Sequence, residues 1–167
     1  MNDDAHPQKL QEALEIDMYR QPGHLFRRAQ QIHAQLWAAE VSTEVTSTQF
    51  AVLSAIAEAG QIDQNSICRR VSLDTSTVAE VANRLTSRGH VIRTRDTRDR
   101  RRNLLSLSPD GERIFAELSP AAARMTDHLV GPLSLGERAE LVRLLHLIIE
   151  AGEGLAEPRD LRQGSQS

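Results

Sequence analysis

The chain has 167 residues, of which 40% are hydrophobic and 26% charged, the length and composition of one globular domain. No apolar run approaches the roughly 18 residues of a membrane span, and the start Met-Asn-Asp-Asp lacks a signal-peptide pattern. We therefore expect a cytoplasmic protein with no membrane partner. The single cysteine, Cys68, excludes an intramolecular disulfide and a multi-cysteine zinc site, and we predict neither a metal nor a cofactor.

Charge is unevenly distributed along the chain. The net charge is −3, yet residues 69–102 contain ten arginines against four acidic residues. That segment carries +6 and the rest of the chain −9. Such a basic block indicates a polyanionic partner, although a short run of this kind can also be a solvated surface.

The first strong helical pattern begins at Pro22. Residues 1–19 are polar with little periodicity, which predicts a poorly ordered arm or a short extra helix. Proline suits the first turn of a helix, and apolar residues then recur at helical spacing. We predict an amphipathic helix over about 22–41. Its apolar stripe consists of Leu25, Ala29, Ile32 and Leu36.

Two capping patterns begin the next helices. Thr46 and Gln49 form a capping box, which predicts a helix over about 47–59. Asp63 is a suitable N-cap for a short helix over about 64–71. The predicted inward residues of these helices are Phe50, Leu53, Ile56, Ala57, Ile67, Cys68 and Val71.

A further helix and two strands complete a recognisable arrangement. Asp74 caps a predicted helix over about 75–88, with Val78, Ala82 and Leu85 facing inward. Residues 91–95 and 103–107 can form two short strands joined by a charged loop. Two helices joined by a short turn and followed by a hairpin are the layout of a winged helix–turn–helix. The predicted fold is therefore mainly α with a small β-hairpin wing.

Two more helices are predicted after the wing. Ser-Pro at 108–109 begins the first, and Pro120 should kink or break it because proline removes a backbone donor and clashes with the preceding turn. Ser134 and Glu137 form a second capping box, which predicts a last helix over about 135–150.

The outer face of the predicted helix 75–88 suits DNA. Arginine can pair with guanine, asparagine with adenine, and glutamate can accept from cytosine N4. The helix N-terminus can also bind a phosphate. A polar outer face alone would fit any amphipathic helix, but the preceding helix and the arginine-rich loop favour DNA contact. The predicted contacts are Thr75, Ser76, Thr77, Glu80, Asn83 and Arg84.

The loop between the predicted strands reads Asp96-Thr97-Arg98-Asp99-Arg100-Arg101-Arg102. Arginine at a hairpin tip fits the narrow minor groove, where the electrostatic potential is most negative. We predict that Arg98, Arg100 and Arg101 contact DNA. Asp99 would hold a neighbouring arginine in one rotamer. The alternative is a solvated loop.

Several runs resemble the MarR family of bacterial transcription regulators over about residues 22–150. They are Cys68-Arg69-Arg70-Val71-Ser72-Leu73-Asp74-Thr75-Ser76-Thr77-Val78, Leu85 with Arg88-Gly89, Asp96-Thr97-Arg98-Asp99-Arg100-Arg101, and Leu107-Ser108-Pro109-Asp110-Gly111. The resemblance implies an interleaved homodimer that binds double-stranded DNA. It also implies Arg100 and Arg101 as wing contacts oriented by Asp99.

With this resemblance, the chain divides into four predicted parts. Residues 1–19 form an N-terminal arm, and 47–111 form the winged helix–turn–helix DNA-binding region. Residues 20–46 and 112–151 together form a helical dimerisation region, and 152–167 form a polar tail.

The first predicted helix is similar to MarR regulators that respond to aromatic acids such as protocatechuate. The similarity lies in Pro22-Gly23-His24-Leu25-Phe26-Arg27-Arg28, Gln30-Gln31-Ile32-His33, Leu36-Trp37 and Thr48-Gln49-Phe50-Ala51-Val52-Leu53. It implies that Arg27 binds the ligand carboxylate and that His33 joins the pocket, with Trp37 beside them. Arg27 and His33 lie roughly 120° apart around a helix, so one ligand reaches both only by wrapping that flank or with help from a second subunit. A surface salt bridge for Arg27 and a core contact for Trp37 are the alternatives.

The sequence thus predicts a dimeric regulator, interpreted as a repressor, that a small aromatic carboxylate releases from a palindromic operator. An enzyme is disfavoured because the sequence lacks a His-x-x-x-His motif, a phosphate-binding loop and a nucleophile elbow. Two alternatives remain open. One is a redox sensor acting through Cys68, and the other is a sensor of metal or of another ligand class.

Overall fold

The computed structural model describes residues 18–97 and 102–156. Within these residues, a 3-10 turn at Met18–Arg20 is followed by six α-helices and three strands. They are α1 (Pro22–Glu40), α2 (Ser47–Ala59), β1 (Ile62–Asp63), α3 (Gln64–Val71), α4 (Thr75–Ser87), β2 (Val91–Arg95), β3 (Asn103–Leu107), α5 (Pro109–Leu129) and α6 (Leu135–Ala156). The predicted mainly α fold is confirmed, and α6 is longer than predicted.

The predicted caps are formed at the starts of the helices. The Thr46 hydroxyl accepts from the Gln49 amide at 3.2 Å, while the Gln49 side chain accepts from the Thr46 amide at 3.0 Å. Asp63 and Asp74 each accept from a backbone N–H one turn later, at 3.1 and 2.9 Å. These bonds satisfy amides that a helix start otherwise leaves unpaired, and so they fix where α2, α3 and α4 begin.

The sheet contains a strand that the sequence analysis missed. The strands lie in the order β1-β3-β2, and both pairings are antiparallel. In the predicted hairpin, Val91 lies opposite Leu107 and Arg95 opposite Asn103. On the other edge of β3, Ile62 of β1 pairs with Leu105. The predicted two-stranded wing is therefore a three-stranded sheet that reaches back to the start of α3.

The main core lies among α2, α3, α4 and the sheet, in a compact unit that extends to Met125. The predicted inward residues Leu53, Ile56, Ile67, Val78, Ala82 and Leu85 are all 0% exposed. A second cluster joins α1 to α5, where Trp37 packs with Ala122 and Met125. The Trp37 indole N–H donates to the Val45 carbonyl at 2.7 Å, which ties α1 to the segment before α2.

Pro120 lies inside α5, so of the predicted kink or break, the break does not occur. An interior proline costs about 3 kcal/mol through the lost hydrogen bond and the clash with the preceding turn. The turn after Pro120 carries Ala122 and Met125, which are buried against Trp37. Burial of one Met-sized side chain contributes about 1.5–3 kcal/mol, so this packing offsets most of the cost and α5 continues.

The second compact unit begins at Thr126 and consists of the end of α5, a turn and α6. The predicted capping box forms at the start of α6, where the Glu137 carboxylate accepts from the Ser134 amide at 2.8 Å. Among the α6 residues whose burial is described, the large apolar ones that are more than a third exposed are Leu135, Leu141, Val142, Leu144, Leu147, Ile148 and Ile149.

In the first unit, α1 also leaves apolar side chains exposed. Two members of its predicted stripe, Leu25 and Ile32, are 50% and 41% exposed, and Phe26 beside them is 44% exposed. Among the described helices, none is long and apolar enough to span a bilayer.

Candidate nucleic-acid interface

Helix α4 buries one face and exposes the face predicted to contact DNA. Its apolar stripe is packed in the main core. Of the six α4 residues predicted to contact DNA, Thr77 is partly buried and the others are exposed; these are Thr75, Ser76, Glu80, Asn83 and Arg84. The structure therefore gathers these side chains on one accessible helix face.

The hydroxyl groups at the start of α4 bind its cap residue. The Ser76 hydroxyl donates to the Asp74 carboxylate, and the Thr77 hydroxyl donates to it at 2.6 Å. These bonds hold the pKa of Asp74 well below its usual value, and the bond from Ser76 has the largest effect. Ser76 and Thr77 thus stabilise the start of the helix in the unbound protein, and their oxygen lone pairs remain as acceptors.

The remaining polar side chains of the α4 face form exposed pairs. Arg84 forms an ion pair with Glu80 one turn earlier, and both side chains are more than 60% exposed. Arg93 of β2 donates to the Asn83 side-chain oxygen at 2.8 Å. Exposed ion pairs contribute at most about 1 kcal/mol, so DNA can replace such contacts at little cost. Sequence analysis did not single out Arg93, because only the fold brings β2 beside α4.

A more buried ion pair lies at the base of the wing, by which we mean β2, β3 and the loop between them. Arg102 Nη2 lies 2.5 Å from Asp63 Oδ2, and the Asp63 side chain is only 14% exposed. Burial would raise the pKa of Asp63, but hydrogen bonds from Ser66 and Arg102 outweigh it and lower the pKa to about 2. Asp63 is therefore an ionised anchor at neutral pH.

Arg98, Asp99, Arg100 and Arg101 lie outside the described residues. Their predicted roles at DNA stay predictions.

The predicted ligand-binding residues lie on α1. Trp37 is buried at 6% exposure, and its ring centroid lies 6.3 Å from that of His33 and 5.2 Å from that of Phe50. His33 Nδ1 is buried and has no hydrogen-bond partner among the described residues. Arg27 is exposed. The structure thus brings His33 and Trp37 into contact, whereas Arg27 lies on the surface of α1.

Two features bear on the alternative sensors of redox state and of metal, namely Cys68 and the grouping of possible metal ligands. The Cys68 thiol is partly buried, and its Sγ lies 4.0 Å from the Thr75 hydroxyl. Within the described part of the chain, no three His, Cys, Asp or Glu side chains are grouped so as to hold a metal ion.

Comparison with known proteins identifies the family. Residues 45–102 match the MarR family model. The crystal structure of the PcaV transcriptional regulator from Streptomyces coelicolor, in complex with its natural ligand, is 42% identical with a TM-score of 0.79. The match covers 82% of this chain and 97% of PcaV. The chain belongs to the MarR family of transcriptional regulators.

Two further MarR-like relatives extend this result. BpsR from Bordetella bronchiseptica, whose DNA binding is regulated by 6-hydroxynicotinic acid, is 33% identical with a TM-score of 0.69, over 75% of this chain and 96% of BpsR. The repressor NicR from Pseudomonas putida is 29% identical over 138 residues, 82% of this chain and 87% of NicR. The predicted family is confirmed, and the chain is a transcriptional regulator and not an enzyme.

The structure also explains why position 111, in the MarR-like run at the start of α5, is a glycine. A Cβ on Gly111 would lie 1.9 Å from the His90 carbonyl oxygen. The Ser108 hydroxyl donates to the Gly89 carbonyl at 2.5 Å and accepts from the Gly111 amide at 3.0 Å. The start of α5 therefore lies directly against the backbone that follows α4. The sequence signals this contact only as a glycine in the first turn of a helix.

Proposed function

We propose that this chain is a cytoplasmic homodimeric repressor that binds a palindromic operator and releases it when a small aromatic carboxylate binds. The observation that carries DNA binding is the exposed polar face of α4, held outward by a helix–turn–helix core beside an arginine-bearing strand. NicR is named a repressor, which supports the direction of regulation.

The proposed dimer is supported by apolar surfaces on α1 and α6. Each helix exposes several large apolar side chains, which a second subunit would cover. A two-fold dimer carries two copies of α4. These would fit half-sites one helical turn apart, roughly 34–36 Å.

The proposed ligand is supported by the unsatisfied nitrogen of His33. A buried polar atom without a partner costs about 1–3 kcal/mol, which a polar group of a ligand would recover. An aromatic ring suits the neighbouring Trp37, and an arginine fork such as that of Arg27 matches a carboxylate. BpsR responds to an aromatic acid of this class.

The proposed mechanism is a linkage between two binding equilibria. A ligand lowers DNA affinity only if it binds more tightly to a subunit arrangement in which the two α4 helices no longer match the half-sites. Ligand and operator would then weaken each other's binding by the same factor.

The experiment that tests the proposed function has two arms. An operator is first selected from randomised duplexes, and its affinity is measured from low to physiological salt, where we expect a steep decline. Benzoates, hydroxybenzoates and cinnamates are then screened by thermal shift, because a specific ligand raises the melting temperature by mass action. A monomeric protein that binds no duplex in dilute buffer would contradict the proposal.

We expect Arg84→Ala to weaken binding to the selected operator about 5–150-fold, the loss of one bidentate base contact. Binding to a scrambled duplex should weaken much less, because non-specific binding depends on phosphate contacts. Fluorescence anisotropy at constant salt measures both affinities. Arg143→Ala on α6, which also removes an exposed arginine, is the control. Equal losses on the two duplexes would exclude base readout by Arg84.

We expect Arg27→Ala to leave operator affinity unchanged and to abolish release by the aromatic acid found in the screen. The reason is that the variant removes the proposed carboxylate partner without touching α4. The matched control is Arg28→Ala, which removes the adjacent exposed arginine on α1. Titrating the acid into the protein–operator complex measures release. An unaltered titration curve would remove Arg27 from the ligand site.

A further inference from the structure

We propose that Arg102 is a positioning residue, which holds the wing against the helix–turn–helix through Asp63 and does not itself contact DNA. This inference rests on the proposed DNA binding. It distinguishes Arg102 from the other arginines of the basic run 98–102.

The backbone of Arg102 is fixed within the wing. The last paired residues of the two long strands are Arg95 and Asn103. One step further along the hairpin, the Asp96 amide donates to the Arg102 carbonyl at 3.0 Å. Arg102 is thus the first described residue after the basic segment that contains Arg98, Arg100 and Arg101.

The side chain of Arg102 extends in the other direction, to a residue 39 positions earlier. Its guanidinium donates to Asp63 at 2.5 Å. Asp63 also caps α3 by accepting from the Ser66 amide at 3.1 Å and the Ser66 hydroxyl at 2.8 Å. One carboxylate therefore holds both the start of the helix–turn–helix and the end of the wing loop.

This ion pair differs from the exposed pairs of the interface. The Asp63 side chain is 14% exposed, against 63% for Glu80 in the pair with Arg84. A shielded carboxylate interacts more strongly with its partner because water screens it less. Asp63 also lies in β1, opposite Leu104 of β3, so its backbone and its carboxylate both bind the wing. DNA would have to compete with this fixed anchor for the Arg102 guanidinium.

The test is a double-mutant cycle with Asp63→Asn and Arg102→Ala. Asparagine retains a capping oxygen for α3 but loses the charge that holds Arg102, so the fold should persist. We expect each substitution to weaken operator binding about tenfold, and the double variant to be no weaker than the more harmful single one. Arg102→Lys, which retains a cation for Asp63, should restore much of the affinity.

A direct phosphate contact predicts a different pattern. Asp63→Asn would then release the guanidinium towards DNA and leave affinity equal or higher, whereas Arg102→Ala and the double variant would both bind weakly. That result, or additive losses in the cycle, would overturn the inference.

Hydrogen exchange provides a readout that does not depend on DNA. We expect the Asp96 amide, which donates to the Arg102 carbonyl, to exchange faster in both single variants while the amides of α2 stay protected. If exchange at Asp96 is unchanged, the pair does not hold the wing, whatever the affinities are. If the wild-type protein binds no duplex, the proposed function fails, and this exchange measurement still decides the role of Arg102.

Discussion

Replacing Gly111 by alanine should lower the free energy of unfolding by about 3 kcal/mol, at the upper end of the range for an overpacked site. The added Cβ would lie 1.9 Å from the carbonyl oxygen of His90, 2.9 Å from its carbonyl carbon and 3.3 Å from its Cα. These are backbone atoms, so no side-chain rotation relieves the clash. Either α5 or the segment after α4 must move, and we expect operator binding to weaken as well.

Chemical denaturation followed by circular dichroism measures this effect at a fixed protein concentration, because the stability of a dimer depends on concentration. The control is Gly136→Ala in α6, where an added Cβ would have no atom within 4 Å. That variant should be neutral or more stable by up to about 1 kcal/mol, since alanine favours helix over glycine. Equal denaturation midpoints for the two variants would show that the close approach at Gly111 does not exist.

The second large effect is expected from Ile148→Asp on α6. Ile148 is 51% exposed and lies on the helix face that includes Leu141 and Leu144. If this face is the dimer interface, an aspartate there becomes a buried unpaired charge, and the subunits separate. Losing the second half-site contact removes the gain of bivalent binding, so operator affinity should fall roughly 10²–10⁴-fold.

Sedimentation velocity gives the oligomeric state of the Ile148→Asp protein, and anisotropy gives its operator affinity. Arg143→Gln is the control on the same helix, because Arg143 is exposed and pairs only with the nearby Glu140 among the described residues. It should remain dimeric with normal affinity. A dimeric Ile148→Asp protein that binds the operator normally would place the interface elsewhere.

Local signals in the sequence predicted most helices well. Capping residues act within one turn, so Thr46, Asp63 and Asp74 identify helix starts without any knowledge of the fold. The apolar spacing of α4 likewise separated its buried stripe from its exposed polar face. The position of the proposed DNA-contacting face was therefore predictable from the sequence.

Contacts between distant segments were not predictable in this way. The strand β1 has only two residues, and its pairing with β3 depends on register across the sheet. The bond from Arg102 to Asp63 and the bond from Arg93 to Asn83 exist only because the sheet packs beside the helices. Composition marks all these arginines as one basic run, whereas the fold gives them different partners.

Pro120 shows the opposite error, in which a strong local signal is outweighed. Proline disfavours a helix interior, and the sequence pattern around it does not show what the next turn contacts. Burial of Ala122 and Met125 against Trp37 decides the outcome, and this packing involves residues more than 80 positions apart.

Trp37 gives the protein an intrinsic optical reporter. It is the only tryptophan in the chain, its indole N–H is held by the Val45 carbonyl, and its ring contacts His33. Any ligand that engages His33, or any shift of α1 relative to the start of α2, changes the surroundings of this one fluorophore. Effector binding can therefore be followed through tryptophan emission in the unlabelled regulator, at a position well separated in sequence from the basic segment proposed to meet DNA.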